Sequence, residues 1–137
     1  MKITIKVFTV MVVTSFLMMS ASQAELVYLA KVNFAGKIFT DIIILEHPIG
    51  EKQNINGSLT VPGVFNTKFL GHQVFDNPTI SFNTTAIENG NTLNIRGYLK
   101  SVEPYERLTG FLDVYIGDSK NKVTAPLTAV LIHRDQK

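Results

Sequence analysis

The chain contains no cysteine and no tryptophan. Without a thiol there is no disulfide, no thiolate metal site and no cysteine nucleophile, so the fold has to be held by burial and hydrogen bonding alone. A bacterial lipoprotein is excluded as well, because its lipid is attached to a cysteine just past the cleavage point. Charge is sparse in both signs, with 13 basic and 11 acidic residues and a formal net charge of +2. No run of Lys and Arg is long enough to neutralise a row of phosphates or an anionic headgroup surface, which removes the usual support for nucleic-acid binding and for electrostatic membrane docking. The three histidines, His47, His72 and His133, lie far apart with no His-x-x-x-His spacing, and there is no Gly-x-Ser-x-Gly elbow and no phosphate-binding glycine loop. The sequence therefore predicts no metal site, no cofactor and no enzyme activity.

Long apolar runs are scarce too, and the one that stands out is N-terminal. Lys2 and Lys6 precede the apolar stretch Val7 to Met19, and Ser22-Gln23-Ala24 follows as a small-x-small site. This is the pattern of a secretory signal peptide over residues 1–24, cleaved between Ala24 and Glu25, which sends the mature chain to the periplasm or the medium. Spanning a bilayer takes about 20 mostly apolar residues. The stretch here has 13, with Thr9, Thr14 and Ser15 among them, so stable membrane insertion is not expected. Removing the segment takes away Lys2, Lys6 and all four methionines, leaving 11 basic residues against 11 acidic ones. The basic excess belongs to the precursor. Residues 25–137 then form a single domain whose core is built from Ile, Leu, Val, Phe and Tyr, long enough to bury about two thirds of its unfolded surface.

Between turn signals the apolar residues of that domain recur with period two, and no window has helical spacing. The pattern predicts strands at Leu26 to Phe34, Ile38 to Glu46, Asn54 to Val61, Lys68 to Phe75, Thr79 to Glu88, Thr92 to Ser101, Arg107 to Gly117 and Val123 to Arg134. Asn89-Gly90 is the strongest turn signal, since both residues tolerate the positive φ of a type I′ hairpin turn. Three strands share one grammar, in Ile55-Asn56-Gly57-Ser58-Leu59, Ile95-Arg96-Gly97-Tyr98-Leu99 and Leu108-Thr109-Gly110-Phe111-Leu112. Each sets a glycine between two aliphatic residues on one face. Such a glycine weakens a strand unless it allows a bend or a close approach, both of which a small closed barrel needs. An internal duplication of a hairpin unit is one account of the shared grammar, and convergent strand grammar is the plainer one.

The class predicted is all-β, an eight-stranded antiparallel up-and-down small barrel of calycin or avidin type, with a two-sheet β-sandwich as the alternative. The comparison is architectural only, because the chain carries no family motif. Pro126, inside the last strand, belongs at an edge, a bulge or a strand start. An outer-membrane barrel fits poorly. Two strands, Asn54 to Val61 and Lys68 to Phe75, are shorter than the 9–11 residues it needs, tryptophan is missing from any aromatic girdle, and the chain ends His133-Arg134-Asp135-Gln136-Lys137 with no terminal aromatic.

Candidate recognition residues are Tyr98, Tyr105, Arg107 and Tyr115, spread over one hairpin and its turn. Tyrosine supplies a rigid ring with a hydroxyl and arginine a planar donor fork, while Tyr98 and Tyr115 would equally serve as cross-strand packing on the sheet surface. Glu103 and Glu106 flank the same turn, where Arg107 and Lys100 favour partly neutralised, solvated charges. Asp41 interrupts the apolar run Ile42-Ile43-Ile44-Leu45 and is expected to point outward from a strand edge, since a buried acid needs a partner. The two Asn-x-Ser/Thr matches, at Asn56 and Asn83, are read as strand residues. Two functions are compatible with this pattern. The first is an exported soluble binding module for a small apolar or amphipathic ligand, a glycan or a peptide. The second is a protein-interaction or inhibitor domain that works through the 47–54 and 102–107 loops or a sheet edge near Pro126. The intact mass of the exported protein should match residues 25–137, and a mass that retains residues 1–24 would overturn the signal-peptide reading.

Overall fold

The period-two pattern builds eight antiparallel strands in the computed structural model, which describes residues 25–50, 53–74, 78–103, 105–118 and 120–134. The signal peptide expected at residues 1–24 lies outside them. The strands are β1 (Leu26–Phe34), β2 (Lys37–Leu45), β3 (Asn54–Val61), β4 (Phe65–Val74), β5 (Thr79–Glu88), β6 (Asn91–Val102), β7 (Arg107–Ile116) and β8 (Lys122–Arg134). Each pairs with the next, and β1 pairs with β8, so the sheet closes into an up-and-down barrel. Closure rules out the two-sheet sandwich. Strand β4 begins at Phe65, three residues ahead of the expected Lys68, because the turn after Val61 is tight. The Val64 N–H donates to the Val61 carbonyl at 2.9 Å, and Val61 pairs directly with Phe65.

The hairpin turns follow local chemistry. Asn89 and Gly90 have φ of 51° and 80°, the expected type I′ signature. Ala35 and Gly36 also have positive φ, and the Asn33 side chain steadies that turn by accepting the Gly36 N–H at 3.0 Å. Pro126 lies one residue past the last β1–β8 pair, Val32 with Leu127, so β8 has a ladder partner there only in β7. This is locally an edge, and the missing N–H is tolerated.

Inward positions form one continuous core. The six aliphatic residues of the glycine-centred strands, Ile55, Leu59, Ile95, Leu99, Leu108 and Leu112, are each at most 4% exposed. At mid-barrel Phe69 and Phe82 stack with ring centroids 3.9 Å apart and planes 14° from parallel. Phe69 pairs across the ladder with Gly57, and Phe82 with Gly97. Each ring lies over the glycine opposite it, in space that a side chain there would occupy. A Cβ on Gly57 would stand 2.5 Å from Phe69 Cζ and 2.9 Å from the Ile44 carbonyl oxygen. A second, smaller apolar cluster, Val27, Ile42 and Ile44 with Leu29, lies on the outer wall of β1 and β2.

Gly57→Ala should therefore destabilise the barrel by about 1–3 kcal/mol through overpacking, and Leu99→Ala by about 2–5 kcal/mol through the cavity it leaves. Urea unfolding measures both, and a loss below about 0.5 kcal/mol, the range of surface changes, would contradict the assigned inward faces.

Candidate functional site

The strand registers make the two ends of the barrel different. Four hairpins, β1–β2, β3–β4, β5–β6 and β7–β8, are paired as far as their turns. The seams between hairpins are not. The β2–β3 ladder stops at Ile42 with Thr60, the β4–β5 ladder at His72 with Ser81, and the β8–β1 ladder at Val32 with Leu127. Only β6–β7 runs through to Leu93 with Ile116. Toward the hairpin tips the β4–β5 seam is held by side chains instead. The Thr67 and Thr84 hydroxyls lie 2.9 Å apart, Thr84 donates to the Lys68 carbonyl at 2.8 Å, and Thr67 to the Thr85 carbonyl at 2.7 Å. Two of the four ladders, β2–β3 and β8–β1, thus end short of the β2 and β8 tips at this end, while at β4–β5 threonine side chains span the gap.

That end holds a cavity of about 150 Å³. Its wall is formed by the aromatic rings of Phe34, Phe39 and Phe65 and by aliphatic side chains that include Val61, Ile95, Leu112 and Val114, with Ala125 leaving room on β8. Glu88 and Ile116, the latter 43% exposed, stand at the mouth. A cavity of this volume is large enough for a benzene-sized guest.

Asp41 lines the same cavity. The expectation that it points outward from a strand edge is overturned. Alternation on β2 turns Phe39, Asp41, Ile43 and Leu45 inward, so Asp41 faces the interior even though the β2–β3 ladder stops beside it at Ile42. The carboxyl is 1% exposed, and its Oδ1 has no hydrogen-bond partner. Burial without a compensating cation pushes its pKa from 3.8 up to about 7. The sequence hid this because the outward residues Ile42 and Ile44 are as apolar as the inward ones, so no alternation marks which face Asp41 takes.

The opposite end is closed by the turn between β6 and β7. Tyr28, fully buried, donates its hydroxyl to the Tyr105 carbonyl at 2.5 Å. Burial, and then the nearby Tyr105 hydroxyl, raise the Tyr28 pKa well above the ordinary phenol value. The Arg134 guanidinium lies 4.9 Å from the centroid of the Tyr105 ring and donates to its hydroxyl.

The structure brings Tyr105 and Arg107 together, with Arg134, around a shallow depression at that closed end. Tyr105 packs against the core, while Arg107 is exposed and pairs with Glu103 at 3.0 Å, which agrees with the solvated turn charges expected there. Tyr98 and Tyr115 lie elsewhere, on the outer wall. Tyr98 stacks on Phe111 with centroids 5.2 Å apart, and Tyr115 sits opposite Asn94 beside a shallow polar depression. None of the four lines the apolar cavity. Among the described residues no group of three His, Asp or Glu side chains is placed to hold a metal ion. His72 bonds Asn54 at 2.9 Å, and His47 lies 2.8 Å from Glu46.

No family model matches the sequence, and no curated protein or solved structure matches it either. The chemistry of the site therefore rests on its own geometry, an apolar chamber with a single deep carboxyl.

The sign of the resulting pH dependence is unusual. Folded Asp41 holds its proton more tightly than the unfolded chain does, so stability is highest below about pH 4 on this account and is lost as pH rises toward about 7. The loss amounts to about 4 kcal/mol for a shift of this size. Asp41→Asn should remove that component. Urea midpoints measured at pH 5 and pH 8 should differ less in the variant than in the unsubstituted protein, and equal pH slopes would show that the carboxyl is not buried as described.

Proposed function

We propose that the chain is an exported, soluble β-barrel binding module that holds a small apolar or amphipathic ligand in the mouth of the barrel, with no chemistry of its own. One observation carries the reading, the apolar cavity at the end where the hairpins part. A barrel of eight strands can fill its interior with side chains. Here the Phe69–Phe82 stack fills the middle, and the space between it and the hairpin tips is left open. Emptiness lined by apolar groups forfeits packing energy, and a guest restores it. The ends of β2 and β8 supply a route of entry, since a strand end without a ladder on one side opens at lower free energy than one paired on both.

The alternative, an interaction or inhibitor domain, draws less support. Closure leaves only strand ends, such as β8 up to Pro126, without a second ladder partner, and the described residues of the 47–54 and 102–107 loops sit at the end away from the cavity. Native mass spectrometry of protein taken from the compartment of export tests for a retained ligand directly.

Titrating the ¹⁵N-labelled protein with toluene should shift amides of Val32, Phe39, Val61 and Val114 and leave those of the closed end unmoved. Ala125→Leu, which places a larger side chain in the chamber, should abolish these shifts while the spectrum stays folded. Undiminished toluene binding in the variant would place the guest somewhere else.

A further inference from the structure

If the cavity is the binding site, as proposed above, its wall restricts the chemistry of the ligand. Of the described side chains that line it, Asp41 and Glu88 are the two that ionise, and both are acidic. Asp41 lies deep, buried to 1% exposure with Oδ1 unpartnered, and Glu88 stands at the mouth. The inward neighbours of Asp41 on the flanking strands are Ala30 and Val32 on β1 and Val61 on β3, and across the barrel Ile95, Leu112 and Ala125 face it, all without charge. The nearest cation on its own strand, Lys37, sits out at the turn, its ammonium 5.3 Å from the centroid of the Phe39 ring. That contact shows the aromatic face at this end receiving a cation.

We propose that the cavity binds a small primary amine with an apolar body, an arylalkyl or short alkyl ammonium, which donates to Asp41 and packs its hydrocarbon against Phe34, Phe39 and Phe65. Each competing ligand class leaves something unmatched. A hydrocarbon fills the volume but leaves the buried Oδ1 without a donor. A carboxylate ligand meets two carboxyls of its own sign. An ammonium supplies three donors and the opposite charge, and the aromatic walls favour it further. Glu88 at the entrance draws cations toward the mouth.

Binding is linked to protonation. An ammonium ligand needs Asp41 ionised, so in mildly acidic solution its entry expels the carboxyl proton to solvent, and affinity weakens as pH falls. A neutral guest shows no such dependence.

Isothermal titration calorimetry of the purified protein with benzylamine, toluene, benzyl alcohol and benzoate decides the matter. At pH 8 benzylamine should bind about tenfold or more tightly than toluene, as a charge-assisted hydrogen bond predicts, and benzoate should not bind. Lowering the pH to 5 should weaken benzylamine and leave toluene unchanged. Asp41→Asn, with a thermal melt to confirm its fold, should bring benzylamine down to the affinity of toluene. If toluene binds in the cavity but benzylamine binds no more tightly, or benzyl alcohol binds best, or Asp41→Asn leaves benzylamine unaffected, the amine proposal falls while the cavity reading stands. If none of the four binds, both fall.

Discussion

The stacked rings of Phe69 and Phe82, each over the glycine across from it, are the contact on which the rest of the barrel depends. An eight-stranded interior is just wide enough for side chains to fill, and these two rings, from the neighbouring strands β4 and β5, fill part of it at mid-height. The rings come together only because Gly57 and Gly97 carry no side chain beneath them. Aromatic cover over a strand glycine compensates for the flexibility and lost packing that glycine brings to a sheet. The pairing also ties β3–β4 to β5–β6 through the interior, close to the seam whose ladder is shortest.

A plug at mid-height divides the interior into two ends that the chain finishes differently. At one, Tyr28 reaches up from the core to the Tyr105 carbonyl, and Arg134 covers the Tyr105 ring, so aromatic surface and backbone polarity are both satisfied. At the other, β2 and β8 outrun their ladders to β3 and β1. Packing is finished at the first end and unfinished at the second. That asymmetry places the chamber at the hairpin tips and makes the Tyr105 turn a structural closure.

Asp41 is the local cost of this arrangement. A buried carboxyl with an unpartnered oxygen lowers stability through desolvation, and an apolar residue of similar size would fill the same wall without that penalty. Polar groups that break the packing rule of their surroundings concentrate where a ligand completes them. On the amine proposal, an ammonium guest would convert the carboxyl from a liability into an anchor, and the carboxyl proton would make uptake sensitive to pH in the neutral range.

Much of the fold was legible in the residues themselves. Strict alternation in β6, from Leu93 to Ser101, marks its inward face without ambiguity, and Asn89-Gly90 names its own turn because positive φ is cheap for both residues. These are local signals, set by the pleat of a strand and by steric limits on φ. Closure was an expectation that strand number and short turns favoured, whereas the registers that end three seams early depend on how strands distant in sequence meet. The candidate site was nearly illegible for the same reason. Its wall draws on Val32, Phe39, Val61, Ile95, Leu112 and Ala125, residues from six strands with no common motif. The exposed-looking tyrosines drew attention to the opposite end and the outer wall, because ring and hydroxyl chemistry is visible in sequence and an empty volume is not. Asp41 shows the limit most clearly. Its chemistry was evident as an acid beside an apolar run, but both faces of β2 are apolar, so its direction was decided only when the sheet curled and gave that strand an inside.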